Sequence, residues 1–311
     1  MTPPLVALTG STGFIGRHLL QELPKRGYRI RVLLRRPSEI PAGASGAVIG
    51  DIASPQNMAA ALRDVDMVIH SAGLAHAMSG RPEDDYRAIN TDGTLALARA
   101  AERAHVKRFV FLSSIRAQSG PVADHVLTEA DQPRPTDPYG RSKLEAEQGL
   151  AELGLDWAAL RPVLVYGPGV KGNMAALLKL ARSGFPLPLG GLHAKRSILA
   201  LDNLASAIDA VLRAPEPLRR PFIVADPEPL SVPEMIAALR EGLGRKPGLV
   251  PVPSAILKLG ASLAGKTEAF ERLAGSLVAS PAALMALNWR PATGSRQALG
   301  ALARTPPDPD A

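Results

Sequence analysis

Tyr139 and Lys143 stand four residues apart in the stretch Thr136-Asp137-Pro138-Tyr139-Gly140-Arg141-Ser142-Lys143. Proline suits the first helical turn, where its missing N–H costs nothing, and an aspartate before it can cap the free amides. A helix that starts at Pro138 therefore puts the phenol and the ammonium on one face. An ammonium close to a phenol stabilises the phenolate and draws its pKa down from ~10 towards neutral pH. The pair would then be a working proton carrier. A bare Tyr-x-x-x-Lys also occurs on ordinary surface helices, so its chemistry depends on what else the chain brings to that helix.

Residues 5–8 form a short apolar run, as in a strand buried on both faces. The run ends in Thr9-Gly10-Ser11-Thr12-Gly13-Phe14-Ile15-Gly16, and an amphipathic stretch to about Arg26 follows. Glycines spaced by threes between a strand and a helix make a turn whose backbone can approach a pyrophosphate at the helix N-terminus. The spacing is G-x-x-G-x-x-G rather than G-x-G-x-x-G, and glycine repeats also mark plain turns. A second strand over residues 28–34 ends in Arg35-Arg36-Pro37. A site for NAD usually has an acidic residue here, on the ribose 2′-hydroxyl. Two arginines suit a 2′-phosphate, so the expected cofactor is NAD or NADP, with NADP favoured. Residues 47–49 form a third strand before Gly50-Asp51-Ile52, where Asp51 is placed to accept from an adenine amino group.

Residues 66–74 read as a fourth strand and a small-residue loop containing Ala72 and Gly73. His70 fits a packed strand end, and neither it nor His76 has a partner at metal-ligand spacing, so no metal is expected. Residues 84–105 follow a long helical pattern that carries Asn90. Residues 106–112 give a fifth strand, ending at Ser113-Ser114. Strands alternating with helices through short connections imply an α/β fold with a parallel sheet covered on both faces. Ligands of such sheets lie outside the carboxyl ends of the strands. The glycine turn, Arg35, Asp51, Ala72-Gly73 and Ser113-Ser114 all fall at those ends.

The chain has 311 residues, 46% apolar and 21% charged, as in a soluble globular protein with a substantial core. It has no cysteine, which excludes disulfides and thiolate chemistry. No signal peptide is read at the N-terminus, and no run of about 18 apolar residues is present, so the expected location is the cytoplasm without a membrane span. The formal charge is +7, but the basic residues are scattered and aromatics make up only 4%. Nucleic acid is therefore not expected as a partner, whereas anionic small molecules are.

In the motifs Gly50-Asp51-Ile52, His70-Ser71-Ala72-Gly73-Leu74, Asn90-Thr91-Asp92-Gly93-Thr94, Phe111-Leu112-Ser113-Ser114 and Arg161-Pro162-Val163-Leu164-Val165-Tyr166-Gly167-Pro168, together with residues 9–16 and 139–143, the chain resembles the extended short-chain dehydrogenase/reductases. Within these it is similar to the nucleotide-sugar epimerase and dehydratase group, over nearly its whole length. The resemblance implies a doubly wound parallel sheet of the Rossmann kind with a smaller C-terminal α/β substrate lobe. Residues 1–165 would form the dinucleotide domain, with segments from 195–225 returning to it. Residues 166–303 would form the lobe, and 304–311 a disordered tail. Tyr139 would be the acid/base, Lys143 would bind the nicotinamide ribose, and Ser114, rather than Ser113, would bind the reacting oxygen. Phe14 and Ile15 would offer amides to the pyrophosphate, Asn90 would brace the site, and Val163 would lie near the nicotinamide. The cofactor set is thus Gly10, Thr12, Gly13, Phe14, Ile15, Gly16, Arg35, Arg36, Asp51, Ile52, Ala72, Gly73, Asn90 and Val163. Asn173 and Arg196 would bind the nucleotide part of a UDP- or dTDP-hexose.

Dehydratases of this group carry an Asp-Glu pair after the active-site serine position, where this chain has Ile115-Arg116-Ala117-Gln118. The resemblance therefore leaves a 4-epimerase or an NADPH-dependent 4-ketoreductase, which share Ser114, Tyr139 and Lys143. A dinucleotide-sensing or scaffold protein is the reading from another class. A homodimer is a family expectation. The apolar residues 254–263 suggest a contact face, expected to pack on the core rather than on a membrane.

Overall fold

Apolar residues alternate between the two faces of a seven-stranded sheet, and helices cover both. The computed structural model describes residues 2–75, 80–215, 217–263, 265 and 267–306; His76 and residues 307–311 of the expected tail lie outside the described residues. The elements run β1 (Leu5–Thr9), α1 (Phe14–Lys25), β2 (Arg29–Leu34), β3 (Ala44–Val48), α2 (Met58–Ala61), β4 (Met67–His70), α3 (Glu83–Tyr86), a π-helical segment (Arg87–Asp92), α4 (Gly93–Arg103), β5 (Arg108–Leu112), α5 (Ile115–Gln118), β6 (Val126–Leu127), α6 (Pro138–Ala151) and β7 (Trp157–Pro162). Then come β8 (Leu164–Tyr166), α7 (Gly172–Arg182), β9 (Lys195–Arg196), β10 (Ile198–Ala200), α8 (Leu201–Arg213), β11 (Arg220–Val224), β12 (Leu230–Ser231), α9 (Val232–Gly242), α10 (Ser254–Leu263), α11 (Thr267–Ala274), β13 (Val278–Ala279), α12 (Ala282–Met285) and α13 (Ser295–Arg304).

The main sheet has the order β11-β7-β5-β4-β1-β2-β3, with every pair parallel. Val6 and Leu8 face Leu19 and Leu23 of α1 and Leu204 and Ile208 of α8. Leu5 and Ala7 face the opposite way, towards Leu97 of α4 and Ala146 and Leu150 of α6. The strands thus read as continuous apolar runs because both faces are covered, and each wholly buried leucine contributes roughly 1.5–3 kcal/mol. The chain winds outwards in both directions from β1 and β4, so the helices after these two strands, α1 and α4, cover opposite faces of the sheet, and the carboxyl ends between them are where such sheets bind ligands. The expected doubly wound sheet is what forms.

A third apolar cluster joins α7, α9 and α13 through Met174, Leu177, Ile236, Leu239 and Leu299. Two expectations for the C-terminal part need correction. Helix α10 does not pack into the core: none of its described residues is buried, and Ile256, Leu259 and Leu263 are 59%, 63% and 84% exposed. Only its opposite side, at Leu257, reaches the third cluster. Arg304, assigned to the tail, ends α13 instead, because Arg182 donates to the carbonyls of Ala303 and Thr305 and holds that end down. Among the described residues no helix is long and apolar enough to cross a membrane.

His70 is wholly buried at the end of β4, and burial pulls its pKa down to about 3. The unfolded chain therefore binds a proton that the folded chain refuses between about 6.5 and about 3. Stability should be fully present above pH 6.5 and fall as the pH drops through that window, by up to about 1.4 kcal/mol per pH unit from this group. Urea unfolding from pH 7 to pH 4 should show that slope, and His70→Gln should flatten it. An unchanged slope in the variant would assign the acid sensitivity elsewhere.

Candidate active site

Gly10 closes β1 with φ at +70°, and a Cβ there would stand 2.6 Å from the amide nitrogen of Ala72. Only glycine lets the two loops after β1 and β4 meet so closely. The Thr9 hydroxyl accepts from the amides of Ser71 and Ala72, each at 3.1 Å, and lies 2.7 Å from His70 Nδ1. On the other side, His70 Nε2 is 3.0 Å from Thr94 Oγ1, which donates to the Asn90 carbonyl at 2.6 Å. Since the Thr94 proton is committed to Asn90, His70 Nε2–H must donate and Nδ1 must accept from Thr9. His70 is thus a neutral, single-tautomer link between the glycine turn and Asn90, as its packed strand-end position implies.

Asn90 lies in the π-helical segment, whose wide turn replaces the plain helix that the sequence pattern suggests. Its amide group is fully used: Oδ1 accepts from Leu74 N at 2.8 Å, and Nδ2 donates to Leu74 O at 3.2 Å and to Ser142 Oγ at 3.1 Å. A Cβ on Gly73 would lie 2.7 Å from Asn90 Oδ1 and 3.3 Å from Lys143 Nζ. The β4 loop, Asn90 and Lys143 therefore converge beside the glycine turn.

Helix α6 starts as its sequence dictates. Pro138 occupies the first turn, and Asp137 Oδ1 accepts from Gly140 N at 2.7 Å. The other oxygen of Asp137 pairs with Arg116, so the helix start is tied to α5 just after Ser114. Ser114 caps α5 and hydrogen-bonds the phenol of Tyr139, whose ring meets Tyr86 edge-on at 6.3 Å. Lys143 Nζ donates to Leu112 O at 2.9 Å and sits 4.5 Å from the centroid of the Phe111 ring. Ser114 and Tyr139 are thus paired, and Lys143, one turn further along α6, reaches the end of the same strand through Leu112.

The expected acidic shift of the phenol is not there in the chain alone. Burial raises the Tyr139 pKa, outweighing the lowering by the Ser114 hydrogen bond and by the charge of Arg116. Lys143 takes the larger perturbation: burial pulls it to about 7, against the opposing charge of Glu147. Helical spacing gives neighbours, but the cost of keeping charge away from water decides their protonation.

The remaining expected residues line the same edge or lie apart from it. Phe14 and Ile15 open α1, behind an N-cap, Gly13, that offers no side chain to their amides. Those amides, with exposed Thr12 and Gly13 before them and buried Gly16 after, form a cradle that fits an anion. Arg35 and Arg36 are exposed directly after β2. Asp51 is exposed with one oxygen on Ala53 N at 3.0 Å, and Ile52 packs against the start of α4 at Gly93. Val163 is buried, its amide donating to Val224 O at 3.1 Å. Arg196 donates to the carbonyls of Gly275 and Pro121 at 2.8 and 2.9 Å, and burial with nearby Arg116 lowers its pKa. Asn173 is exposed on the first turn of α7, with no hydrogen bond to the Ser114–Tyr139–Lys143 group among the described residues. Among the described residues, no group of three or more His, Asp or Glu could hold a metal ion.

One buried group goes beyond the sequence reading. Glu147 pairs with Arg161 and accepts from Ser113, and Arg161 also reaches Gln118. The only sequence signal was Glu147 lying four residues past Lys143, on the same helical face.

This sheet order, the glycine turn on its first strand and the Tyr-x-x-x-Lys helix beside it are those of the extended short-chain dehydrogenase/reductase class. The chain belongs to the NAD dependent epimerase/dehydratase family, whose model matches residues 6–225. It is 36% identical over 285 residues to the UDP-glucose 4-epimerase of Vibrio cholerae, which covers 88% of this chain and 87% of that protein. The ceramide reductase of Caulobacter vibrioides is 30% identical over 214 residues, 68% of this chain and 62% of that protein. Among solved structures, MoeE5 in complex with UDP-glucose and NAD is 27% identical, with a TM-score of 0.73 over 96% of this chain and 97% of that one.

The depressed Lys143 pKa has a measurable consequence. The unfolded chain binds the lysine proton up to ~10.4, whereas the folded chain releases it at about 7. Wild-type stability therefore gains from this group as pH rises from about 7 to about 10, and below 7 the folded protein bears the full cost of a buried charge. Lys143→Met removes that dependence, so the stability difference should shift in the variant's favour on going from pH 10 to pH 7. Melting temperatures of the two proteins across that range provide the check; a difference independent of pH would refute the assignment.

Proposed function

We propose that this chain inverts C4 of a UDP-linked hexose through reversible hydride transfer with a bound nicotinamide dinucleotide. The observation that carries this reading is the meeting of Gly10, Gly73, Lys143 and the Ser114–Tyr139 pair at one sheet edge. The 36% identity to a UDP-glucose 4-epimerase supports it, as does the likeness to MoeE5 with its UDP-glucose and NAD.

The dinucleotide would rest its pyrophosphate on Gly10, Thr12, Gly13, Phe14, Ile15 and Gly16, with Asp51 and Ile52 towards the adenine and Ala72, Gly73 and Val163 along the rest. When bound, it supplies the acceptor and donor of hydride at C4. Tyr139 takes the hydroxyl proton as the C4–H bond is broken and returns it when hydride is delivered to the opposite face of the ketone, so no net oxidation remains. Ser114 binds the same oxygen. Lys143 holds a ribose hydroxyl and offsets the charge of the phenolate. Arg196 and Asn173 would bind the nucleotide diphosphate, for which a guanidinium fork is suited. The segment after Ser114, Ile115-Arg116-Ala117-Gln118, offers no carboxylate for a C5 proton.

A second reading, an NADPH-dependent 4-ketoreductase, is favoured by two observations. Arg35 and Arg36 are exposed where a 2′-phosphate would lie, and a phenol kept protonated by burial is ready to donate to a ketone.

Mass spectrometry of the dinucleotide released on denaturation separates the two, retained NAD supporting the epimerase and exchangeable NADPH the reductase. Interconversion of UDP-glucose and UDP-galactose by NMR tests the first directly. Tyr139→Phe should lower kcat by about 100-fold or more while the dinucleotide Kd changes little; near-normal turnover would remove Tyr139 as the acid/base. Under the reductase reading, Arg35→Glu should weaken NADP binding by about 10-fold or more and leave NAD almost unaffected. Equal losses for both dinucleotides would take Arg35 away from the 2′ position.

A further inference from the structure

One helical turn past Lys143 lies a buried carboxylate that the steps above do not use. The Glu147 side chain is 4% exposed. Ser113 Oγ donates to its Oε1 at 2.5 Å, and Arg161 Nε lies 3.1 Å from each of its oxygens while Nη2 bonds Oε2. Arg161 also donates to Gln118 Oε1, and Gln118 Nε2 donates to Asp131 O at 2.8 Å. A single carboxylate thus links the end of β5, the middle of α6, the end of β7 and α5. Ser114, Tyr139 and Lys143 are carried by these same elements or their immediate ends.

Stability alone gives no reason for a charge here. A buried ion pair can often be replaced by apolar side chains at no cost, and Ala146 and Leu150, on neighbouring positions of α6, are apolar and wholly buried. An apolar residue could not place a negative charge beside the buried Lys143. The groups facing that ammonium are the Leu112 carbonyl and Phe111 ring of β5, neutral His70 of β4, and Glu147 one turn further along α6 itself. Arg161, from β7, has its charge met by Glu147. Of these, Glu147 is the one whose charge opposes the loss of the Lys143 proton.

Building on the reading of Lys143 as the ribose-binding partner of Tyr139, we propose that Glu147 is a positioning residue whose buried carboxylate keeps Lys143 charged and clamps the strand end that presents Ser114. Its effect reaches the substrate only through these neighbours.

Glu147→Gln keeps an oxygen for Ser113 and Arg161 at nearly constant volume. The test is the dissociation constant for NAD by calorimetry and kcat/KM for UDP-glucose, each from pH 6 to pH 9, in wild type and variant. The expected result is an alkaline limb moved about one pH unit or more to lower pH in both quantities. Turnover should fall at least about tenfold at pH 8 and less than about threefold at pH 6. Superimposable profiles, or a loss of equal size at every pH, would overturn the assignment. If the single variant does not fold, Glu147→Leu combined with Arg161→Met removes both charges at once; the limb should still move to lower pH, and a wild-type limb in that protein would overturn the proposal. A wild-type protein that binds NAD but leaves UDP-glucose unchanged would defeat the functional reading alone, because the NAD binding profile still decides the role of Glu147.

Discussion

An ammonium group kept out of water is the constraint on which the site depends. Lys143 is 5% exposed, yet its charge has to survive for it to act on a neighbouring phenol. That is possible only if polar partners replace the lost solvent, and three do: a backbone carbonyl at the end of β5, the face of Phe111, and the charge of Glu147 one turn away. Each of them restricts something else. The carbonyl ties the ammonium to the last residue of β5, Glu147 ties it to Arg161 on β7, and beside it the Asn90 amide oxygen, 2.7 Å from where a Cβ would stand, restricts position 73 to glycine.

Holding so many polar groups in the interior costs stability that must come from elsewhere. His70, Asn90, Lys143, Glu147 and Arg161 are all buried. The sheet supports them because it is apolar on both faces and each face carries its own packed cluster. The polar groups gather at the carboxyl edge, where β1 and β4 send the chain away in opposite directions. Apolar layers hold the scaffold while the edge holds the charges.

Much of this was legible in the sequence because its cause is local. Residues 5–8 and 106–112 are apolar whichever face they show, the glycines announce a turn, and Pro138 with Asp137 marks a helix start without reference to anything distant. What was not legible depends on packing. The protonation of Tyr139 follows burial rather than its spacing to Lys143. The Glu147–Arg161 pair joins residues from separate elements, and a lone Glu on a helix gives no sign of its depth. Helix α10 has the composition of a core helix, yet the lobe presents cover to only one side of it. Arg304 belongs to α13 because of Arg182, a residue far away in sequence.

The wide turn over residues 87–92 carries a surplus residue relative to an α-helix. Losing any one residue there would let the segment tighten, and each step of an α-helix turns the chain by about 100°. Asn90 would then swing away from Leu74 and Ser142 while Thr94 kept its place on the far side. The length of this segment is therefore as binding on the chain as its composition: a deletion that improves the helix would disconnect the loop after β4 from the helix bearing the tyrosine.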